Sequence, residues 1–315
     1  MLNYALRRLL SFVPTVLLAL TAIFFLTRMI PGSPIAALLG QSAGSEQLDV
    51  VGRDLGLEKP LLTRYAEWLP RVIRGDFGTS LFYSDPVIDV VADRFPVTLY
   101  LATLSLIVTI LVGLPLGILA AVRRGTAVDY GTNVFSSLGM AMPSFWLGFL
   151  LVILFAVHLG WLPASGYRGP EFGIGEWLRR LALPVVAQSL AQIGLVIRMT
   201  RASMVEVLGQ EYITMARLKG LPENRVVFRH ALKNAMTQIT TVIGLTFALG
   251  LGGSVIIENV FSLPGLGQLI TVAAVRRDYP MLEAGVFYLT LVALVVNLAV
   301  DLSYAVFNPR VRYSR

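Results

Sequence analysis

An all-α membrane protein with six transmembrane helices is the fold class this sequence predicts, and three observations predict it. The 315 residues are 56% hydrophobic and only 14% charged, with a mean hydropathy of +0.72, whereas a soluble domain is about 45–50% apolar and about 25% charged. The apolar residues fall into six long runs, each near the roughly 20 residues a helix needs to cross a bilayer. Lys and Arg are unevenly divided between alternate connections, as loops on opposite sides of a membrane require.

The first run, Leu9–Ile30, follows Arg7 and Arg8. It is long enough for a complete crossing and lacks a small-residue cleavage site, so it reads as an uncleaved anchor span (1–30) and not as a signal peptide. The following stretch, 31–96, is long enough for a small helical extracytoplasmic subdomain. Within it Leu61, Tyr65, Trp68, Leu69 and Val72 form one helical stripe. Asp85-Pro86 then reads as an N-cap and first helical residue ahead of Val87, Val90 and Val91. Nine acidic residues (Glu46, Asp49, Asp54, Glu58, Glu67, Asp76, Asp85, Asp89 and Asp93) stand against six basic ones here, a mixture that names no partner.

A five-span core, 97–307, follows, with spans near Val97–Val122, Val134–Leu159, Leu181–Ile197, Met236–Ile257 and Leu282–Phe307. The second span carries Gly113, Pro115 and Gly117, which suit close helix packing or a hinge. In the fourth, Gln188 and Gln192 share one helix face beside Ser189. These amides suit either helix-to-helix hydrogen bonds or the wall of a substrate path, where an amide serves N–H and C=O groups without burying a charge. The fifth repeats small residues at Gly244, Ala248 and Gly252, a pattern for tight packing within or between subunits. After it, Glu258, Asn259, Pro264, Gly265 and Gly267 read as an outer turn, with Glu258 either a gate polar group or a solvated loop acid. In the last span Asn297 is placed for a helix contact or path lining, and Asp301 for water or a nearby Arg.

With the N-terminus inside, fourteen Lys and Arg fall on the inner side and five in the two short outer loops, so both termini are expected to be cytoplasmic. The +7 net charge then follows from topology, and nucleic acid is not expected as a partner. The absence of Cys excludes disulfides and thiolate metal sites, and two His (His158 and His230) make no metal cluster. No GxxxxGK[ST], HExxH or GxSxG motif occurs, so no ATP site, cofactor or enzymatic activity is expected. No acid–base chain in the spans and no repeat between halves points to a proton-driven transporter.

The most polar long segment is Glu211–Ala235, EYITMARLKGLPENRVVFRHALKNA, within a loop expected over 198–235. It carries Tyr212, Met215, Ala216 and Lys219 at helical spacing, then Gly220 and Leu221 where the helix ends and Pro222 where another begins. Glu211, Ala216 and Gly220, followed by His230-Ala231-Leu232-Lys233-Asn234-Ala235, resemble the "EAA" loop of ABC importer permeases. The wording is similar to the dipeptide/oligopeptide/nickel branch. YALRRLL and PGSP near the start, GLEKPLLTRY, GDFGTS, MPSFWLG, GWLPASGY, the run from Ser254 to Gly267 and the final NPRVRY extend the resemblance over nearly the whole chain. Pro222 departs from it, standing where a polar helix cap is common.

The resemblance implies a type I ABC importer permease fold with a cytoplasmic tail over 308–315. It implies a coupling helix at Glu211, Tyr212, Ala216, Lys219, Gly220 and Leu221 that inserts into an ATPase subunit. The implied partners are a second homologous permease subunit, two ABC ATPase subunits, an extracytoplasmic substrate-binding protein and membrane lipid, in a bacterial or archaeal cytoplasmic membrane. The implied cargo is di- or oligopeptides, with nickel chelates and glutathione as alternatives. A stand-alone channel or secondary transporter is the rival from another class.

Overall fold

The computed structural model describes residues 2–30, 58–83 and 85–307, with side chains over 8–30, 58–83 and 85–302. Glu46, Asp49 and Asp54 of the first long connection and the 308–315 tail lie outside the described residues. Ten helices account for nearly all regular structure among the described residues, and one isolated bridge, Thr79 to Pro86, is the only extended pairing there.

The helices are α1 (Leu2–Arg28), α2 (Leu61–Ile73), α3 (Val87–Val122), α4 (Ala127–Ala141), α5 (Ser144–His158), α6 (Ile174–Leu208), α7 (Glu211–Leu218), α8 (Glu223–Phe261), α9 (Leu266–Arg276) and α10 (Tyr279–Phe307). Five of them, α1, α3, α6, α8 and α10, are long and apolar enough to cross a membrane, and the bent pair α4–α5 makes a sixth span. A helix satisfies its own backbone hydrogen bonds, which is why hydrocarbon admits it.

Several boundaries differ from the sequence expectation. The second span does not begin at Val97: α3 runs without interruption from Val87 through Pro96. At roughly 1.5 Å per residue its 36 residues reach about 54 Å, well beyond the hydrocarbon core. The third span is not straight. Its halves meet at a 99° bend at Met142-Pro143. Pro143 has no N–H to give the helix and forces Met142 out of the α region, to φ −82° and ψ 124°. The fourth span extends at both ends to 35 residues. Gly267 lies inside α9 and not in a turn.

The chain divides into two compact units, one of 1–12, 99–263 and 293–315, the other of 13–98 and 264–292. In the second unit, Leu20, Val72, Phe77, Val87, Val91, Leu266, Leu269 and Met281 form the core. Tyr65 and Trp68 of α2 pack their rings on Phe24, so most of the apolar stripe read from sequence does face inward, although Leu61 is exposed. A buried ion pair joins Arg28 to Glu283, and the Arg28 guanidinium lies 3.4 Å over the Phe24 ring. Asp278 caps α10 by accepting from the Met281 N–H and also takes the Ser80 hydroxyl.

In the first unit, α6 is the central element, packed on α4, α5 and α8. Its approach to α3 is close because a Cβ on Gly117 would stand 2.6 Å from Thr200 Cβ. That is the packing alternative for the Gly113–Gly117 pair. Gly244 similarly lies against Val300, whereas Gly252 faces open space, so only part of the small-residue repeat in α8 is a contact within the chain. Asp301 pairs with Arg8 at 3.1 Å.

Candidate functional site: a short surface helix and an amide-lined cavity

The segment from Glu211 to Ala235 forms α7 and the beginning of α8, joined by a tight turn. Gly220 has φ +78°, in the left-handed region that glycine adopts at no steric cost and most side chains disfavour. The Gly220 N–H donates to Arg217 O at 2.9 Å and the Leu221 N–H to Ala216 O at 3.3 Å. These two bonds are the Schellman arrangement that ends a helix by satisfying its last carbonyls. Pro222 is the N-cap residue of α8, extended at ψ 143°, and no side chain caps that end. The turn is instead braced by Arg217, whose guanidinium donates to both oxygens of Glu223 at 2.7 and 3.1 Å. Those bonds push Arg217 further toward its charged form. Asn234 donates to Tyr212 Oη at 2.9 Å, tying the start of α7 to α8.

The helix face proposed from spacing is divided in the structure. Ala216, only 8% exposed, turns inward with Ile213 onto Met204, Val226, Val227 and Ala231. Tyr212 (44%), Met215 (54%) and Leu218 (76%) point outward, and Glu211 and Lys219 are exposed beside them. An eight-residue helix makes about two turns, so its two apolar stripes are too short for periodicity to say which is buried. The exposed stripe is an apolar ridge on an otherwise polar segment, the type of surface a partner protein covers.

A cavity of about 280 Å³ lies between α4, α5, α6 and α8, lined by Met140, Ser144, Gln188, Ala191, Gln192, Leu195, Thr246, Leu249, Gly250 and Gly253. It is at the small end of ligand pockets, which run to about 300–1,000 Å³. The structure brings Gln188 and Gln192 together here. Gln188 Nε2 donates to Gly250 O at 3.2 Å, while Gln188 Oε1 is buried without a hydrogen-bond partner. Gln192 Oε1 accepts from the Thr109 hydroxyl at 3.1 Å. Both amides crowd Gly250, where a Cβ would stand 2.6 Å from Gln192 Nε2 and push that side chain aside.

The other sequence candidates separate from this cavity. Ser189 is buried but turns away, donating to Val186 O in its own helix. Asn297 is exposed on α10 and lines no part of it. Glu258 and Asn259 are not in a loop: α8 continues to Phe261, which buries Glu258 completely and removes the solvated-acid alternative. Asn259 is exposed and donates to Val255 O. The turn itself falls at the left-handed Ser262; Pro264 and Gly265 follow it in the short connection, with Gly265 as the extended N-cap residue of α9. Sequence reasoning passed over Thr109, Thr246 and the ion pair of Asp129 with Arg201, although ionisable residues in apolar helices are themselves the signal for such sites.

Family models and relatives cover nearly the whole chain. Residues 113–313 match the model of the family described as binding-protein-dependent transport system inner membrane component, and residues 1–102 match its N-terminal counterpart. A probable peptide ABC transporter permease protein of Sinorhizobium fredii (strain NBRC 101917 / NGR234) is 38% identical over 98% of this chain and 99% of its own length. A putative peptide transport system permease protein of Brucella abortus (strain 2308) is 40% identical over 98% of both chains. The glutathione transport system permease protein of Escherichia coli (strain K12) is 37% identical over 99% of this chain and all of its own. Among solved structures, an inward-facing MetNI methionine ABC transporter aligns at TM-score 0.58 and 18% identity, covering 70% of this chain and 96% of that one. The chain therefore belongs to the inner membrane components of binding-protein-dependent transport systems, and it is a multi-pass ABC importer permease with the type I fold.

Proposed function

We propose that this chain is the permease subunit of an ATP-driven importer of di- and oligopeptides, energised in trans by ATPase subunits at α7. The observation that carries the reading is the outward ridge of Tyr212, Met215 and Leu218, on a helix held by buried Ile213 and Ala216 and closed at Gly220. A helix so fixed transmits force at its surface into the spans on both sides of it. Two ATPase subunits, a second homologous permease and an extracytoplasmic binding protein complete the machine. Both termini and α7 lie on the cytoplasmic side of a bacterial or archaeal membrane, as the Lys and Arg bias supports. The described part of the first long connection, 58–83 and 85–96, lies on the extracytoplasmic side, and Glu258 and Asn259 at the end of α8 serve as outer gate groups. The chain itself makes and breaks no covalent bond.

The cavity supports a cargo with peptide groups. Its polar groups are uncharged amides and hydroxyls, and the unsatisfied Gln188 Oε1 accepts an N–H without an ion's desolvation cost. Peptide names among the relatives support this, and glutathione, itself a peptide, falls within the same chemistry.

The direct test is uptake into liposomes holding the chain with its second permease and ATPases, supplied with binding protein and a labelled tripeptide. Uptake should require both ATP and binding protein. Uptake driven by an ion gradient without ATPases would overturn the reading. Gly220→Val should add about 1–2 kcal/mol of left-handed backbone strain and lower uptake several-fold. Gly220→Asn, which tolerates that conformation, should retain most of it, and equal uptake by the two variants would remove the turn from the mechanism. Gln188→Leu with Gln192→Leu should leave the complex assembled and reduce uptake, whereas unchanged uptake would leave the two amides as packing groups.

A further inference from the structure

We propose that Asp129 and Arg201 are a positioning pair that makes α4 and the C-terminal half of α6 a single lever, linking α7 to the elbow of the third span. The proposal rests on the reading of α7 as the ATPase-facing helix. Asp129 stands in the first turn of α4 and is almost wholly buried. Arg201 grips it with two parallel bonds, Nε to Oδ1 and Nη2 to Oδ2, the latter at 2.8 Å. The Gly125 N–H adds a bond to Oδ2 and Asn133 Nδ2 one to Oδ1, both at 2.9 Å. Each carboxylate oxygen thus takes two donors. This arrangement fixes direction as well as distance, because a guanidinium presents its donors as a planar fork.

The placement is what assigns a role. Arg201 lies in the last part of α6, which continues as helix to Leu208 and reaches α7 through only Gly209 and Gln210. Further along the same seam α4 is locked to α6 a second time. Ser136 Oγ donates to Gly194 O at 2.6 Å, and a Cβ on Gly139 would stand 3.0 Å from Leu190 O. Two separated attachments prevent α4 from pivoting on α6. At its far end α4 meets the 99° bend, and the residues flanking that bend, Met140 and Ser144, are cavity lining together with Gln188 and Gln192. A displacement received at α7 is therefore delivered to the cavity wall through α4. An ion pair with one partner buried is weak support for stability, since apolar packing serves as well, but it does specify geometry.

The absence of Cys in the chain allows a reversible test. Asp129→Cys with Arg201→Cys is bridged by a bis-methanethiosulfonate linker of matching span, in a complex whose other subunits lack accessible thiols. Peptide uptake and ATP hydrolysis are measured before and after the linker is reduced. With the linker in place, uptake per ATP should approach that of the unaltered complex. After reduction it should fall several-fold while hydrolysis continues. Equal uptake per ATP in the two states, or a rise on reduction, would overturn the lever. Arg201→Lys keeps the charge and loses the fork, and it should show a smaller fall in the same ratio. A uniform loss of uptake and hydrolysis in all these variants would assign the pair to stability and overturn the proposal. If the unaltered chain neither retains ATPases nor stimulates their hydrolysis, the reading of α7 fails instead.

Discussion

An eight-residue helix has no business being stable alone, and the burial of Ile213 and Ala216 is the contact on which the rest of the reading depends. Isolated helices under about 12–15 residues are marginal in water. Ile213 is fully buried against Met204, Val226, Val227 and Ala231, worth roughly 1.5–3 kcal/mol of side-chain transfer. The turn bonds at Gly220 and Leu221, the Arg217–Glu223 bridge and the Tyr212–Asn234 bond add direction more than stability, because most of these groups are exposed. The result is a short rigid ridge whose free side is apolar.

Rigidity continues inward from that ridge. α6 leads directly into α7, and α8 leaves it after one turn, so both of its neighbours are candidate membrane spans. The small-residue contacts of α6 with α3 and α4, at Gly117, Gly139 and Gly194, bring backbones close enough for van der Waals packing to act where lipid offers no hydrophobic drive. The bend at Met142-Pro143 is the one sharp break among the described spans, and it borders the amide cavity. A break held between two packed seams is where a moving wall has room.

Much of this was legible in the sequence. Apolar run length found all six spans, and the Gly220 turn followed from residue type alone. Three features were not legible, for different physical reasons. Pro115 and Pro143 both stand in apolar runs, yet α3 passes through one and the third span breaks at the other, because neighbouring packing decides whether a lost hydrogen bond bends a helix. Glu258 could be read either as a gate group or as a loop acid because hydropathy falls there, while the helix itself continues to Phe261 and buries it. Gln188 and Gln192 could be placed on one face by spacing, but Ser189 and Asn297 turn elsewhere, which depends on the rotation of each helix against its neighbours.

The most direct measurement compares two cysteine positions on α7. In complexes with ATPase subunits carrying single surface cysteines, Met215→Cys should form a crosslink whose yield changes with ATP, and Ala216→Cys, buried one residue away, should not. That pair of results would place the outward ridge against the ATPase and the inward stripe against the permease core. A crosslink at Ala216 and none at Met215, in an assembled complex, would contradict the account.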